Sequence, residues 1–515
     1  MMMFYFIPSW YPEKRTWYDN TELWYRRNMS SYFDDTINQL RMFVNVGEPS
    51  QLIVLNYMPN LRYYTHRYGL FEVPYWSVFD HIQGITGDDF QPLDYLDMEW
   101  PDGIEFINSP FLVIARLKGQ LFAQLEFGEE GNLVWIDFFD QDVQSKKMVF
   151  DDRGFLSSIL YYQDGQPYYQ DYLGKDGVYR IREYLLPDNQ QVLINPTRQY
   201  HFLKNTYDSI EELLSEQLER FLSAQPKSTI VLAADGRHHE TVAKAISRHT
   251  LVLSYFGNRF QVDSTSQLQV ERLLSPHLIV TDSLKTQQQL ENMTSHPVHQ
   301  VSLYDTRLAL GKSQRLKELY IYFLLDGVHK TQWKVALQEI FVAMKSNEYI
   351  HLMLVTYQSE KDYLDRLKEE IELELEQMPE EYLKLKENTK HQLFEVGDEE
   401  EEVERVAFTP LHSEVDIMVA LDSVRLIIDL ADEPNLYTQI AGISAGIPQV
   451  NARQTEYVEH LKNGYILTDG GNLGAALNYY LDGLSHWNES LIYSVRKISD
   501  YTSGVLVEKI KEKVE

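Results

Sequence analysis

A chain of 515 residues, 44% of them hydrophobic, is too long for one ordinary core, and its formal charge of −30 argues against nucleic acid or anionic lipid, both of which need basic surfaces. It has no cysteine, which excludes disulfides, thiolate metal sites and cysteine nucleophiles and agrees with a reducing cytoplasm. The 35 tyrosines and 23 phenylalanines point to strand-rich or recognition regions beyond a helical scaffold.

The start, MMMFYFIPSWYPEKRTWY, has an apolar run that stops at Pro8 and lacks the basic opening of an export signal, so Met3 to Ile7 reads as a short buried strand. No stretch approaches the ~20 apolar residues of a membrane-spanning helix. Ser30 to Phe43 has helical spacing, and Gln51 to Leu55 reads as a buried parallel strand. From about Gly103 to Pro196 the texture changes. Runs such as FLVIARL, LFAQLEF, LVWIDFF, FLSSILYYQ, PYYQDYL and VYRIREYL are separated by Lys118-Gly119, Glu130-Gly131, Arg153-Gly154, Asp164-Gly165 and Asp176-Gly177. Helices do not fit between turns so close together, and the pattern predicts an antiparallel β-meander.

After Asn195 strands and helices alternate. Ile210 to Leu222 reads as a helix, STIVLAAD as a strand, Glu240 to Ser247 as a helix, LVLSYF and HLIVTD as strands, Ser283 to Glu291 as a helix, and VHQVSLYD closes the set. A polar bridge at residues 311–315 leads to strand LYIYFLL, helix Gln332 to Met344, strand IHLMLVTY and a charged helical stretch from Glu360 to about Leu393. An acidic run, GDEEEEVER, precedes strand VAF, helix Glu414 to Leu421, strand VRLIIDL and a terminal helix from about Asn488. Two separate runs of alternation predict two doubly wound α/β domains, with the meander inserted in the first. The expected boundaries are 1–102 with 197–310 for the first domain, 103–196 for the meander, 316–487 for the second domain, and 488–515 for a terminal helix crossing back to the first. Ligands of such domains bind beyond the carboxyl ends of the strands.

Gly442-Ile443-Ser444-Ala445-Gly446 fits the G-x-S-x-G pattern of a nucleophile elbow, which needs a strand directly before the serine. Leu436, Ile440 and Ile443 instead fall at helical spacing, and Gly446-Ile447-Pro448 reads as a helix C-cap followed by proline, so the serine-hydrolase reading ranks last. His238-His239 and His296/His299 lack carboxylates at ligand spacing, and no metal is expected. Asp398 to Glu402 reads as a solvated loop rather than a docking tail.

From Glu433 to Pro448, and on to Glu456 and Asn463-Gly464, the second half resembles the nucleotide-binding domain of retaining GT-B glycosyltransferases. That resemblance implies that Glu433 takes the position contacting the donor sugar, while the ribose-holding position is Ala441. It aligns Gly446, Pro448 and Glu456 with the family pattern. It puts Lys330 roughly at the diphosphate lysine and Leu325 where an arginine would fall, and the PSWYPEKRTWY loop lacks the glycine pair. A methyl group accepts no hydroxyl hydrogen bond, and charged hydrogen bonds contribute ~1.5–3 kcal/mol each, so donor binding is expected to be lost.

The whole chain resembles one family more specifically, the glycosyltransferase-like accessory secretory proteins of Gram-positive bacteria (Asp family, first member). FYFIPSWY, DDRGFLSSILYYQDGQPYYQDYL and EPNLYTQIAGISAGIPQV carry the resemblance. It implies a GT-B-like fold and a non-catalytic part in the accessory Sec system. The implied partners are sister accessory proteins, a dedicated SecA motor and a serine-rich glycoprotein substrate. No cofactor or nucleic acid is implied, and a cytoplasmic location would come with only indirect recruitment to the membrane. The alternative is an active retaining transferase using a nucleotide sugar. For the adaptor, Tyr161, Tyr162, Tyr168, Tyr169 and Tyr172 of the meander are the candidate docking residues, since tyrosine is favoured at interfaces.

Overall fold

The structure, a computed structural model, describes residues 2–21, 23, 34–87, 89–128, 130–257, 259–301, 310–376, 383–385, 405–411, 414–467, 471–499 and 502–514. The chain divides into two compact units, one holding Met1–Arg27, Asp34–Leu303 and Leu506–Glu515, the other built on Tyr304–Val505.

The first unit opens with β1 (Phe4–Ile7), α1 (Asp35–Asn45), β2 (Ser50–Val54), α2 (Leu61–Arg67), β3 (Tyr75–Ser77) and α3 (Val78–Gln83). An antiparallel sheet follows, made of β4 (Ile104–Asn108), β5 (Leu112–Leu117), β6 (Gln120–Phe127), β7 (Leu133–Asp140), β8 (Val143–Asp151), β9 (Phe155–Gln163), β10 (Gln166–Leu173), β11 (Tyr179–Tyr184), β12 (Val192–Ile194) and β13 (Thr206–Tyr207). The chain then returns through α4 (Ile210–Ser223), β14 (Thr229–Ala233), α5 (His239–Ile246), β15 (Thr250–Tyr255), α6 (Ser264–Leu274), β16 (Leu278–Thr281), α7 (Leu284–Glu291) and β17 (Val298–Gln300). Seven of these strands form a parallel sheet in the order β17-β16-β15-β14-β1-β2-β3. Because successive side chains of a strand point to opposite faces, Phe4 and Phe6 enter one core while Tyr5 and Ile7 enter the other.

The ten antiparallel strands pair strictly in sequence, as tight turns dictate. This sheet is fastened to the parallel body by the β8–β9 turn, Asp151-Asp152-Arg153-Gly154. Arg62 Nε donates to Asp152 Oδ1 at 2.5 Å and Nη2 to Asp151 Oδ1 at 3.0 Å, while Arg153 Nη2 donates to Asp80 Oδ1 at 2.8 Å. Asp152 N–H donates to Pro59 O at 2.9 Å, and Gln91 N–H to Arg153 O at 2.9 Å. Gly154 is irreplaceable here, since at φ +88° an added Cβ would lie 1.7 Å from Gln91 O.

The second unit runs through β18 (Leu319–Leu324), α8 (Lys330–Ser346), β19 (Ile350–Thr356), α9 (Lys361–Leu375), β20 (Val406–Pro410), α10 (Glu414–Leu421), β21 (Val424–Asp429), α11 (Leu436–Ala445), β22 (Gln449–Asn451), β23 (Gly464–Ile466), α12 (Leu473–Leu481) and α13 (Ser485–Ile498). Its parallel sheet has the order β20-β19-β18-β21-β22-β23. Ile321 and Phe323 face one core, Tyr322 and Leu324 the other. The last helix, α14 (Ser503–Val514), buries Leu506, Val507 and Ile510 in the first unit's core with Phe4 and Phe6.

The details differ from the sequence reading in identifiable places. The antiparallel sheet gains β4 and β8, whose polar VQSKKMVFD conceals a strand, and reaches β13, past residue 196. The single terminal helix is two, α13 and α14, and α6 fills a segment read as connection. Residues 30–33, 302–309, 386–404 and Pro379, which carried parts of the helix, strand and acidic-loop readings, lie outside the described residues.

Candidate functional site

In an open parallel sheet the crevice lies beyond the strand ends where the strand order reverses. In the second unit that point is between the neighbouring strands β18 and β21. The chain's own polar groups bond to one another at these strand ends. Asp326, just past β18, accepts from Thr356 Oγ1 at 2.5 Å and from Tyr357 N–H at 2.7 Å. Asp429, the last residue of β21, accepts from Ala431 N–H at 3.1 Å and Asn435 N–H at 2.7 Å. Burial pushes the Asp429 carboxyl up to about 6, with the Asp326 carboxylate adding to the effect. Burial likewise raises Asp326.

The N-terminus of α11 is occupied in the same way. Asn435 Oδ1 accepts from Thr438 N–H at 2.9 Å, and the Tyr357 hydroxyl lies 2.5 Å from Thr438 Oγ1 and 2.6 Å from the Tyr322 hydroxyl. A helix N-terminus with free amides is the natural seat of a phosphate. Here Asn435 takes the Thr438 amide of the first turn and Asp429 the amides of Ala431 and Asn435 just before the helix, and a diphosphate arriving there would meet two carboxylates.

The residues singled out in the sequence do not assemble into a donor pocket around this crevice. Lys330 stands at the start of α8, but its ammonium pairs with Glu370 on α9 at 2.7 Å, an exposed pair of small energetic weight. Glu433 lies exposed on the loop between β21 and α11. Ala441 is buried in the apolar cluster of Tyr322, Leu324 and Ile427, so its position belongs to the core. Gly446 is the left-handed C-cap of α11 at φ +71°, closing against Gly442 O and Ile443 O, and an added Cβ would lie 2.1 Å from Leu491 Cδ1. Pro448 O accepts from Ile427 N–H, starting β22. The backbone carbonyl of half-buried Glu456 accepts from Lys497 Nζ on α13. Leu325 is buried.

Ser444 sits within α11, 3% exposed, and its hydroxyl donates to Ile440 O at 2.7 Å. This is a helix back-bond, not a strand-to-helix elbow.

The first unit's crevice, beyond β1 and β14, is also internally satisfied. Arg15 donates to Gln170 Oε1 at 2.6 Å and to the Tyr172 hydroxyl at 3.1 Å, and pairs with Glu183. Hydrogen bonds from Arg237 and Ser9 overcome burial and hold the Asp235 carboxyl down at about 2. His238 is buried between Ala233 O and the Tyr11 hydroxyl, at 2.8 Å each, and burial beside His239 pushes it down to about 3. Both bonds are satisfied by the neutral ring. Among the described residues no three His, Asp or Glu side chains gather as metal ligands.

The tyrosines divide by face. Tyr172 is 1% exposed and donates to Glu183 Oε2 at 2.8 Å, so the structure removes it from the docking candidates: its ring is a core anchor of the sheet on the body. Strand alternation puts Tyr162 on that same inner face, next to Leu160. Tyr161, Tyr169 and Tyr184 stand opposite one another in register on the outer face. Ring centroids are 4.7 Å apart for Tyr161–Tyr169 and 6.0 Å for Tyr168–Tyr184, with the Arg182 guanidinium 4.1 Å over Tyr169.

The sequence reading missed Asp326, Asp429 and Tyr357. Their one signal was position, each standing at or just past the end of an apolar strand.

Comparison with known proteins agrees with this geometry. The family profile described as accessory Sec system protein Asp-one matches residues 3–515. A protein of that description from Streptococcus gordonii is 39% identical over 520 residues, covering 98% of each chain. Among solved structures, the Glycosylation Associate Protein (Gap123) complex from Streptococcus agalactiae matches at 43% identity and TM-score 0.85, over 99% of this chain and 100% of that one. The structure of accessory secretory protein 1, 2 and 3 in Streptococcus pneumoniae matches at 34% identity and TM-score 0.82, over 99% and 98%. The pneumococcal O-GlcNAc transferase GtfA, at 12% identity, TM-score 0.70 and coverage of 100% and 98%, shares the fold, which is GT-B-like. A profile match over nearly the whole length and relatives above the identity at which families are secure lead to one conclusion: this chain belongs to the Asp-one family and is a component of the accessory Sec system.

Proposed function

We propose that the chain is a non-catalytic adaptor on a degenerate GT-B scaffold. In this reading it acts with sister accessory proteins and a dedicated SecA motor in the export of serine-rich glycoproteins, takes no cofactor, and reaches the membrane from the cytoplasm only through its partners. The observation that supports the reading is the internally bonded polar network at the crevice of the second unit. Asp429 puts a carboxylate just before the α11 N-terminus, bound to the Ala431 and Asn435 amides, Asn435 caps the first turn, and the position aligned with the family's ribose contact is the buried methyl of Ala441. No helix among the described residues is long and apolar enough to cross a membrane, which agrees with indirect recruitment. The relatives solved as complexes of accessory secretory proteins 1, 2 and 3 support the partner assignment.

An adaptor acts through surfaces. The outer-face row of Tyr161, Tyr169 and Tyr184 with Arg182 has the aromatic and arginine composition of binding hot spots. Losing an aromatic anchor costs ~2 kcal/mol, so Tyr161→Ala with Tyr169→Ala is expected to weaken co-purification with sister proteins at least about tenfold. Glu433→Ala should leave glycoprotein export unchanged. Normal co-purification of the tyrosine variant, with export blocked by Glu433→Ala, would overturn the reading and return function to the cleft.

A further inference from the structure

The outer face of the antiparallel sheet carries a second feature beside the tyrosine row. Register sets Phe138, Lys146, Tyr161 and Tyr169 side by side across β7, β8, β9 and β10. Beyond Phe138 the face deepens into a groove of about 870 Å³. Its floor is Phe122, Phe138 and Met148, and its wall is the segment carrying Met98 and Trp100. The indole N–H of Trp100 is taken by Tyr95 O at 2.7 Å, so the ring offers only apolar surface.

The two lips are acidic. Glu99 lines the groove on one side and Asp140 on the other, and Asp94, Asp97 and Asp102 on the first segment and Asp142 in the β7–β8 turn are exposed sequence neighbours of these two. Among the residues lining the groove Lys146 is the one cation, its ammonium 4.5 Å over the Phe138 ring, and Lys118 follows on the β5–β6 turn.

We propose that this groove docks a basic amphipathic segment of a protein partner. The partner's apolar side chains seat on Phe122, Phe138 and Trp100, and its lysines or arginines face Glu99, Asp140 and Asp142. Charge complementarity selects this occupant: carboxylate lips repel anionic lipid headgroups and favour cationic flanks. The aromatic rings pack on one another, with Trp100 stacked on Phe138 at 6.1 Å and Phe122 edge-on to Phe138 at 5.8 Å, so they offer no flat platform to a sugar. The assignment deepens, and so rests on, the adaptor reading above by giving one partner contact its chemistry.

The probe is a fluorescent leucine–lysine helical peptide of about five turns, titrated into the full-length protein by anisotropy at physiological salt. Saturable one-to-one binding is expected, weakened at least about tenfold by the surface variant E99K/D140K/D142K. The charge-matched control D365K/E369K/E376K, on and just past α9, should change it less than about twofold. A leucine–glutamate peptide of the same pattern should not bind. Equal loss in the control, insensitivity to the lip variant, binding of the acidic peptide, or co-sedimentation of the peptide-free protein with phosphatidylglycerol vesicles that the lip variant abolishes would each overturn the proposal. Failure of the adaptor reading is read separately, as absence of sister-protein co-purification by the wild-type chain with its peptide binding intact.

Discussion

Replacing Arg62 by alanine tests how the inserted sheet is held. The Arg62 side chain is 10% exposed, and the Asp151 and Asp152 side chains it binds are 2% exposed each. Removing one partner of a buried ion pair costs about 3–5 kcal/mol, because a charge is left without compensation. Asp151 retains Arg153, which with Arg62 outweighs burial and holds its carboxyl low, so the orphan is Asp152. Burial, against the pull of Arg62, already pushes Asp152 up to about 7. An unfolded aspartate titrates near ~3.9, so the folded state takes up the proton more readily. Asp152's contribution is therefore complete below about pH 4 and is lost as pH rises toward 7. In Arg62→Ala the carboxyl can escape its predicament only by protonation. Urea denaturation followed by circular dichroism should show the full loss of about 3–5 kcal/mol near pH 7.5 and a clearly smaller one near pH 5. Adding Asp152→Asn should recover at least ~1 kcal/mol at the higher pH, since the amide oxygen still accepts the backbone N–H groups of position 62, now alanine, and of Tyr63. A loss below ~1 kcal/mol, or one equal at both pH values, would refute the reasoning.

Gly154→Ala should destabilise the first unit by about 2 kcal/mol or more in the same assay, because the new Cβ meets the Gln91 carbonyl and the backbone is left-handed. His238, held down at about 3 against ~6.5 when unfolded, contributes stability that is complete above about pH 6.5 and is lost as pH falls toward 3. His238→Gln should therefore flatten the difference in stability between pH 7 and pH 4 relative to the native chain, as read by denaturant midpoints. Ser444→Ala should change stability by less than ~1 kcal/mol and leave export intact, and a serine-directed phosphonate should not label the native chain.

The fold was legible wherever side-chain period coincided with tight punctuation. DG and RG turns fixed most of the antiparallel sheet, and apolar runs such as STIVLAAD and VRLIIDL could only be buried parallel strands. β8 escaped because Lys146 and Lys147 look like loop chemistry; in place, their ammonium groups lie over Phe138 and Trp135, so neighbours that sequence order does not reveal make them strand residues. The reading of Ala441 as a lost ribose position rested on a single letter of the resemblance, and the structure adds that this residue is buried in an apolar cluster. The polar network at the crevice was not legible, since Asp326, Tyr357 and Asp429 come from three strand ends and become one network only when β19, β18 and β21 lie side by side. Tyr172 was misassigned to the surface because five neighbouring tyrosines look alike until register divides them between faces.

The central claim is that the donor crevice is closed by the chain's own groups. Isothermal titration calorimetry of the purified protein with UDP and UDP-N-acetylglucosamine tests it most directly, with melting temperature as the companion readout, because any ligand that binds the folded state must raise its stability. The account predicts no saturable heat and no rise in melting temperature at millimolar nucleotide. Saturable binding in the micromolar range, abolished by Asp429→Lys or Glu433→Ala, would contradict it and mark the site as a working donor pocket.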